Sequence, residues 1–168
     1  QGNEFYGVVT SFNQPIGSWD VSSVFGMGSM FMSSVFNQDI SNWDTSSVTN
    51  MNGMFWAATS FNHNISSFDT SSVTNIQYMF YTASSFNQDI SKWYVGSVQN
   101  TTYMFRNAEI FQRDLSMWKG EFSYVLQEEM FKGARKFLER FLGLGLEMLR
   151  NSSLEAFWSD FGPGLGNR

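Results

Sequence analysis

The sequence predicts an α/β fold: a right-handed solenoid of about 25-residue repeats, with short parallel strands and a short helix in each coil, closed by a helical C-terminal cap. Three observations carry this. Residues 36–60, FNQDISNWDTSSVTNMNGMFWAATS, recur as FNHNISSFDTSSVTNIQYMFYTASS from Phe61 and as FNQDISKWYVGSVQNTTYMFRNAEI from Phe86. The register runs through Phe12, Phe36, Phe61, Phe86 and Phe111 in steps of 24, 25, 25 and 25. Further apolar columns keep the same phase: Ile16, Ile40, Ile65, Ile90 and Leu115; Trp19, Trp43, Phe68, Trp93 and Trp118; Val24, Val48, Val73 and Val98. Self-similarity at such a period is the signature of a stacked repeat architecture.

Each part of the unit follows from its spacing. Met51, Met54, Phe55 and Ala58 stand at i, i+3, i+4 and i+7, which predicts one face of a short helix; Ile76, Met79, Phe80 and Ala83 repeat it. Upstream, Asp39-Ile40-Ser41 and Ser47-Val48-Thr49 each set one apolar residue between two polar ones, the alternation of a very short half-buried strand. Asp44-Thr45-Ser46-Ser47 between them is turn chemistry. The reading is strand, corner, strand, short helix. No unit can bury its apolar face alone, so neighbours stabilise one another.

The chain divides near residue 119. Residues 1–118 form the repeat solenoid, which starts in mid-repeat because Phe5–Phe12 aligns with Met54–Phe61. Residues 119–168 hold a degenerate last repeat around Met130 and an amphipathic helical cap or tail. Here Met130, Ala134, Phe137, Leu138, Phe141 and Leu142 trace a stripe, with Glu128/Lys132 and Arg135/Glu139 as opposite charges four apart. The basic residues change with it: only 3 of 10 precede residue 119. The lack of an initiator Met or signal peptide at Gln1 points to a mature form or a part of a longer chain.

Composition excludes several functions. A net charge of −5 and a pI near 4.7 argue against nucleic acid, which needs a basic footprint. Zero Cys removes disulfides and thiolate chemistry. No run reaches the roughly 18 apolar residues of a transmembrane segment. His63, the single histidine, replaces a Gln of the repeat and has no nucleophile or paired acid beside it. The chain is therefore expected not to be an enzyme and to carry no cofactor and no metal. Asn13, Asn37, Asn62 and Asn87 read as a ladder bonding coil to coil. Asp20, Asp44 and Asp69 read as caps of their own Ser/Thr turns rather than calcium ligands.

The repeat FNQDIS-x-WDTSSVTNM-x-x-MF, best seen at residues 36–55, resembles that of the BspA-like leucine-rich-repeat surface proteins over about residues 5–118. The resemblance implies an LRR-like solenoid, extracellular or surface-anchored, used for adhesion or protein binding, with no catalytic residues to carry over. Tyr94-Val95 in place of Asp-Thr, Gln112-Arg113 in place of Asn-Gln, and the tail depart from the pattern.

The candidate binding face is the outward strand ribbon: Asp39, Ser41, Ser47, Thr49, Asn64, Ser66, Asp89, Ser91 and Asp114. The expected role is a non-enzymatic scaffold for a protein or glycan partner at the cell surface or outside the cell. The alternative is a structural subunit of a membrane-associated or organellar complex, docked through the segment from Phe137 to Phe161. Replacing Trp43 with Asp would bury an unpaired charge and is expected to unzip the stack, which thermal melting would register as loss of the folding transition.

Overall fold

The computed structural model describes residues 11–118 and 129–142. Ten phenylalanines form its spine in two interleaved columns. Phe36, Phe61, Phe86, Phe111 and Phe137 stack at 5.8–6.2 Å between ring centroids. Phe31, Phe55, Phe80, Phe105 and Phe131 stack at 5.4–5.7 Å. Within each unit one ring of each column lies flat on the other, as Phe55 does on Phe61 at 3.9 Å. Each such pair adds roughly 0.5–1.5 kcal/mol beyond the area it buries. Ile40, Ile65 and Ile90, then Trp43, Phe68 and Trp93, flank the spine and are buried. The indoles of Trp43 and Trp93 also donate from Nε1 to the carbonyls of Ile16 and Ile65, one unit earlier, at 3.1 and 3.0 Å.

The units stack as expected, but they are not built from strands and helices. Among the described residues the regular elements are a 3-10 turn at Ser116–Trp118 and one helix, α1, at Arg135–Leu142. The α/β, leucine-rich-repeat-like solenoid with strands and a helix in every coil is thus corrected to a stack of turns. The reason lies in where each N–H goes.

Around Asp39 the N–H of Ser41 donates to the Asp39 carboxylate at 2.9 Å and that of Trp43 to the Ile40 carbonyl at 3.1 Å. Local bonds of this kind compete with a sheet ladder, and no strand forms. Around Val48 the cross-unit bonds Thr49 to Phe25 and Met51 to Asn75 bracket a single residue, Asn50. Each pair of units therefore shares one isolated parallel bridge: Gly26 with Asn50, Asn50 with Asn75, Asn75 with Asn100.

The helix of residues 51–58 fails for a related reason. Met54, Trp56 and Ala58 donate three residues back, to Met51, Gly53 and Phe55, while Met51, Gly53, Phe55 and Ala57 donate forward to Asn75, Gln77, Met79 and Tyr81 of the next unit. No N–H is left for the bond to residue i−4 that defines an α-helix. The chain takes this path through two left-handed residues per unit: φ is +59° at Gly53 and +53° at Ala57, and +57° and +54° at Tyr78 and Thr82. The i, i+3, i+4, i+7 set Met51, Met54, Phe55 and Ala58 is buried all the same, because successive three-residue turns put the same positions inside.

One column was not expected. Val21, Thr45, Thr70 and Val95 are buried. The hydroxyls of Thr45 and Thr70 donate to the carbonyls of Asp69 and Tyr94 at 3.1 and 2.9 Å. Thr and Val are close in shape, so the column packs with either, and Val95 fits where the repeat carries Thr.

At the C-terminal end Met130 lies in a turn, not in a helix running on to Leu142, and α1 begins at Arg135. The Arg135–Glu139 pair forms at 3.0 Å. Lys132 pairs with Glu129, while Glu128 lies outside the described residues, as do residues 143–168 of the expected cap or tail. Phe137 and Leu138 are buried against the last unit.

The turn path has a direct test. A Cβ on Gly53 would meet nothing closer than 3.4 Å, so Gly53→Ala is expected to cost about 1 kcal/mol through its positive φ alone. Ala57→Gly should cost nothing in thermal or urea unfolding, where a helix interior would lose about 1 kcal/mol.

Candidate binding face

Asp39, Asn64, Asp89 and Asp114 occupy one position of successive units and all four are exposed. In each, Oδ1 accepts the N–H two residues on: Ser41, Ser66 and Ser91 at 2.9 Å and Ser116 at 2.8 Å. The side chain thereby closes a small ring with its own backbone, and the same ring recurs from unit to unit. Ser41, Ser66 and Ser91 are half-buried. The Ser41 carbonyl accepts the Ser67 hydroxyl at 2.6 Å.

Ser47 and Thr49 belong to a different column. Ser47 is half-buried, and the Thr49 hydroxyl donates to the Phe25 carbonyl at 3.1 Å while Thr74 donates to that of Thr49 at 3.2 Å. These threonines tie layers together, and Thr49 remains exposed while doing so.

Asp89, Ser91 and Asp114 come together around an open depression of about 390 Å³, with Arg113, Ser116, Met117 and Arg140 completing its lining. Asp39, Ser41, Asn64 and Ser66 continue the column beyond it. Arg113 is anchored by Nε to the Asn87 carbonyl at 2.6 Å, and Arg140, from α1, by Nη1 to the Gln112 carbonyl at 3.1 Å. Met117 is 71% exposed at its rim. Sequence reasoning missed Arg113, Arg140 and Met117 as site residues. The signal for Met117 was present: its position holds Asn42, Ser67 and Lys92 in earlier units, so an apolar side chain there answers no demand of the stack.

A second outward strip was also missed. Trp56 stacks on Tyr78 at 5.0 Å and Tyr78 on Tyr103 at 5.1 Å. The Arg106 guanidinium lies 5.1 Å from the Tyr103 centroid and pairs with Glu129. Rings stacked this closely occupy one another's faces, so the strip stabilises the turn segment and offers its edges to solvent.

The Asn ladder is present. Asn13, Asn37, Asn62 and Asn87 accept through Oδ1 the N–H of Asn37, Asn62, Asn87 and Gln112, at 2.8–3.1 Å. Asn50, Asn75 and Asn100 instead accept from the N–H two residues on, at 2.9 Å. Asp20, Asp44 and Asp69 each take both the hydroxyl and the N–H of a Ser two residues on. Among the described residues no three His, Asp or Glu side chains gather where they could hold a metal ion, and no helix is long and apolar enough to cross a membrane.

Geometry and sequence together define a repeat protein of stacked turns with one face of identically held carboxylates and amides. A family model described as "Mycoplasma protein of unknown function, DUF285" matches residues 3–77 and 33–143. The chain belongs to that family. No curated protein and no solved structure matches it.

The carboxylates make stability depend on pH. Ser22, Ser46 and Ser71 hold Asp20, Asp44 and Asp69 below their ordinary pKa, first through the hydroxyl and then through the N–H. For Asp39 and Asp89 the N–H of Ser41 and Ser91 is the first cause. A pKa lowered by folding contributes stability that is complete above the unfolded value, about 4, and is lost as pH falls through the folded value. The melting temperature is expected to be level from pH 7 to about 5 and to fall below about 4, with a shallower fall in an Asp44→Asn/Asp69→Asn variant that keeps the Oδ1 acceptor.

Proposed function

We propose that the chain is a non-enzymatic binding scaffold of the BspA-like surface type, working at the cell surface or outside the cell, whose Asp39–Asn64–Asp89–Asp114 column engages a protein partner. The observation that carries this reading is the repetition of one outward geometry in four consecutive units, ending in the depression lined by Asp89, Asp114, Arg113 and Arg140. A solenoid-independent logic supports it: regularly repeated side chains on a rigid stack offer an extended surface without the entropy of ordering it on binding. The mixed charge of the depression suits the polar rim of a protein interface, and exposed Met117 supplies an apolar contact beside it. A glycan partner would draw on the same hydroxyls and carboxylates. The docking alternative has less support in α1, since Phe137 and Leu138 are already buried in the stack.

Asn64 shows that the column accepts an amide without losing its turn, which supplies a clean test. An Asp89→Asn/Asp114→Asn variant is expected to stay folded, with a melting temperature at pH 7 lowered only by what the charged Asp89 contributes, and to bind about tenfold more weakly to targets selected by the wild-type chain from arrays of extracellular proteins and glycans. Unchanged binding by the folded variant would exclude this face.

A further inference from the structure

One peptide link carries a reaction of its own. Asn52-Gly53 is the single Asn-Gly pair in the sequence. In such a pair the glycine nitrogen, once hydroxide has taken its proton, attacks the side-chain carbon Cγ of the asparagine. A five-membered succinimide closes and ammonia leaves. Water then opens the ring at one carbonyl or the other, giving aspartate or isoaspartate. Glycine favours the attack because no Cβ crowds its nitrogen. The turn does not require glycine there: the same left-handed position holds Ser29, Tyr78 and Tyr103, with φ of +56°, +57° and +58° against +59° at Gly53.

The stack holds this peptide from both sides. The Asn52 carbonyl accepts the Ser29 N–H at 2.7 Å, and the Gly53 N–H donates to the Gln77 carbonyl at 2.8 Å. The two flanking units thus fix both ends of one peptide plane. The Asn52 N–H donates to Asn50 Oδ1 at 2.9 Å, which fixes the plane before it as well. For attack the Gly53 nitrogen must give up its proton and turn toward Cγ, and neither is open to it while the bond to Gln77 stands. The reaction therefore waits for the units to part at this junction, as local openings of a folded chain allow.

The two products differ in what they leave behind. Aspartate keeps the backbone, and the position tolerates change: Gly28, Gln77 and Thr102 hold it in other units. Isoaspartate routes the chain through Cβ and Cγ, which adds a methylene to the backbone and turns the former Asn52 carbonyl into a free carboxylate. The acceptor of the Ser29 N–H is then displaced. Met51, Gly53, Phe55 and Ala57 reach Asn75, Gln77, Met79 and Tyr81 at every second residue. An extra backbone atom after Met51 puts the last three out of step with the first.

We propose that Asn52-Gly53 is a self-modifying joint that the stack keeps shut, and that its conversion to isoaspartate makes a passing separation of two units permanent. The joint is separate from the Asp39–Asp114 column and stands whether or not that column binds anything.

The experiment ages the full chain at mildly alkaline pH, folded and in urea, and follows each asparagine by mass spectrometry of chymotryptic peptides, in which aspartate and isoaspartate elute apart. In urea Asn52 is expected to convert faster than any other asparagine. In the folded chain it should convert at least about tenfold more slowly than in urea. Folded samples aged for longer are then separated under native conditions. The isoaspartyl fraction is expected to melt below the wild-type chain and the aspartyl fraction close to it, with an Asn52→Asp variant as the reference for the second. An Asn52→Gln variant, which carries the residue of the next unit at this position, should lose the fast conversion and keep the melting temperature. Equal rates in the folded chain and in urea overturn the proposal, because the two-sided hold would then not govern the reaction. Conversion of Asn52 in urea no faster than that of Asn42 overturns it too, as does an isoaspartyl fraction that melts like the wild-type chain.

Discussion

The structure rests on backbone N–H groups that leave their own unit. At every second residue of the turn segment the donor points to the neighbouring unit, and the residues between bond three positions back. Neither set closes without the other. The forward bonds need left-handed backbone at two positions per unit, and the cost of that conformation is met because a buried N–H without a partner would cost more. The phenylalanine spine then fills the interior that this path encloses. Packing and hydrogen bonding are coupled at each layer, so damage to one column is felt by its neighbours.

This coupling explains what could be read from the chain and what could not. The columns were legible because burial recurs with the repeat, whatever backbone carries it: Ile40, Ile65 and Ile90 are inside in a strand or in a turn. The backbone itself was not legible, for two reasons. Spacings of three and four residues arise from consecutive three-residue turns as readily as from a helix, so Met51, Met54, Phe55 and Ala58 could not separate them. Among the described residues the left-handed positions are mostly Tyr, Thr, Ser and Asn, with glycine at Gly53 and Gly133 alone, and thus mostly lack the residue that would have announced them. Likewise Asp39-Ile40-Ser41 alternates like a strand, yet its short acid bonds its own backbone first.

The site divides in the same way. Asp39, Asn64, Asp89 and Asp114 were found by their repetition and by their outward place beside a buried Ile or Leu. Thr49 was found by the same logic, yet its hydroxyl serves the stack. Arg113, Met117 and Arg140 interrupt the repeat, and a search for periodic features passes over them. The periodic Asp89 and Asp114 and the exceptions Arg113, Met117 and Arg140 line the same depression, so the repeat supplies the column and the exceptions shape its end.

The imbalance of the cross-unit bonds has an electrical consequence. Each junction that is complete among the described residues has four forward backbone bonds against the reverse bond from Thr49, Thr74 or Gln99. Each forward bond aligns a peptide dipole of about 3.5 D with the long direction of the stack, so a net dipole remains where the alternating strands of a β-sheet nearly cancel. The layers therefore add to one field, negative at the carbonyls of Gly26, Gly28, Met30 and Met32 and positive toward the last turn. Lengthening such a stack strengthens the field at its ends while leaving its sides unchanged. Polarity here belongs to the backbone path, so any sequence that adopts this turn inherits it.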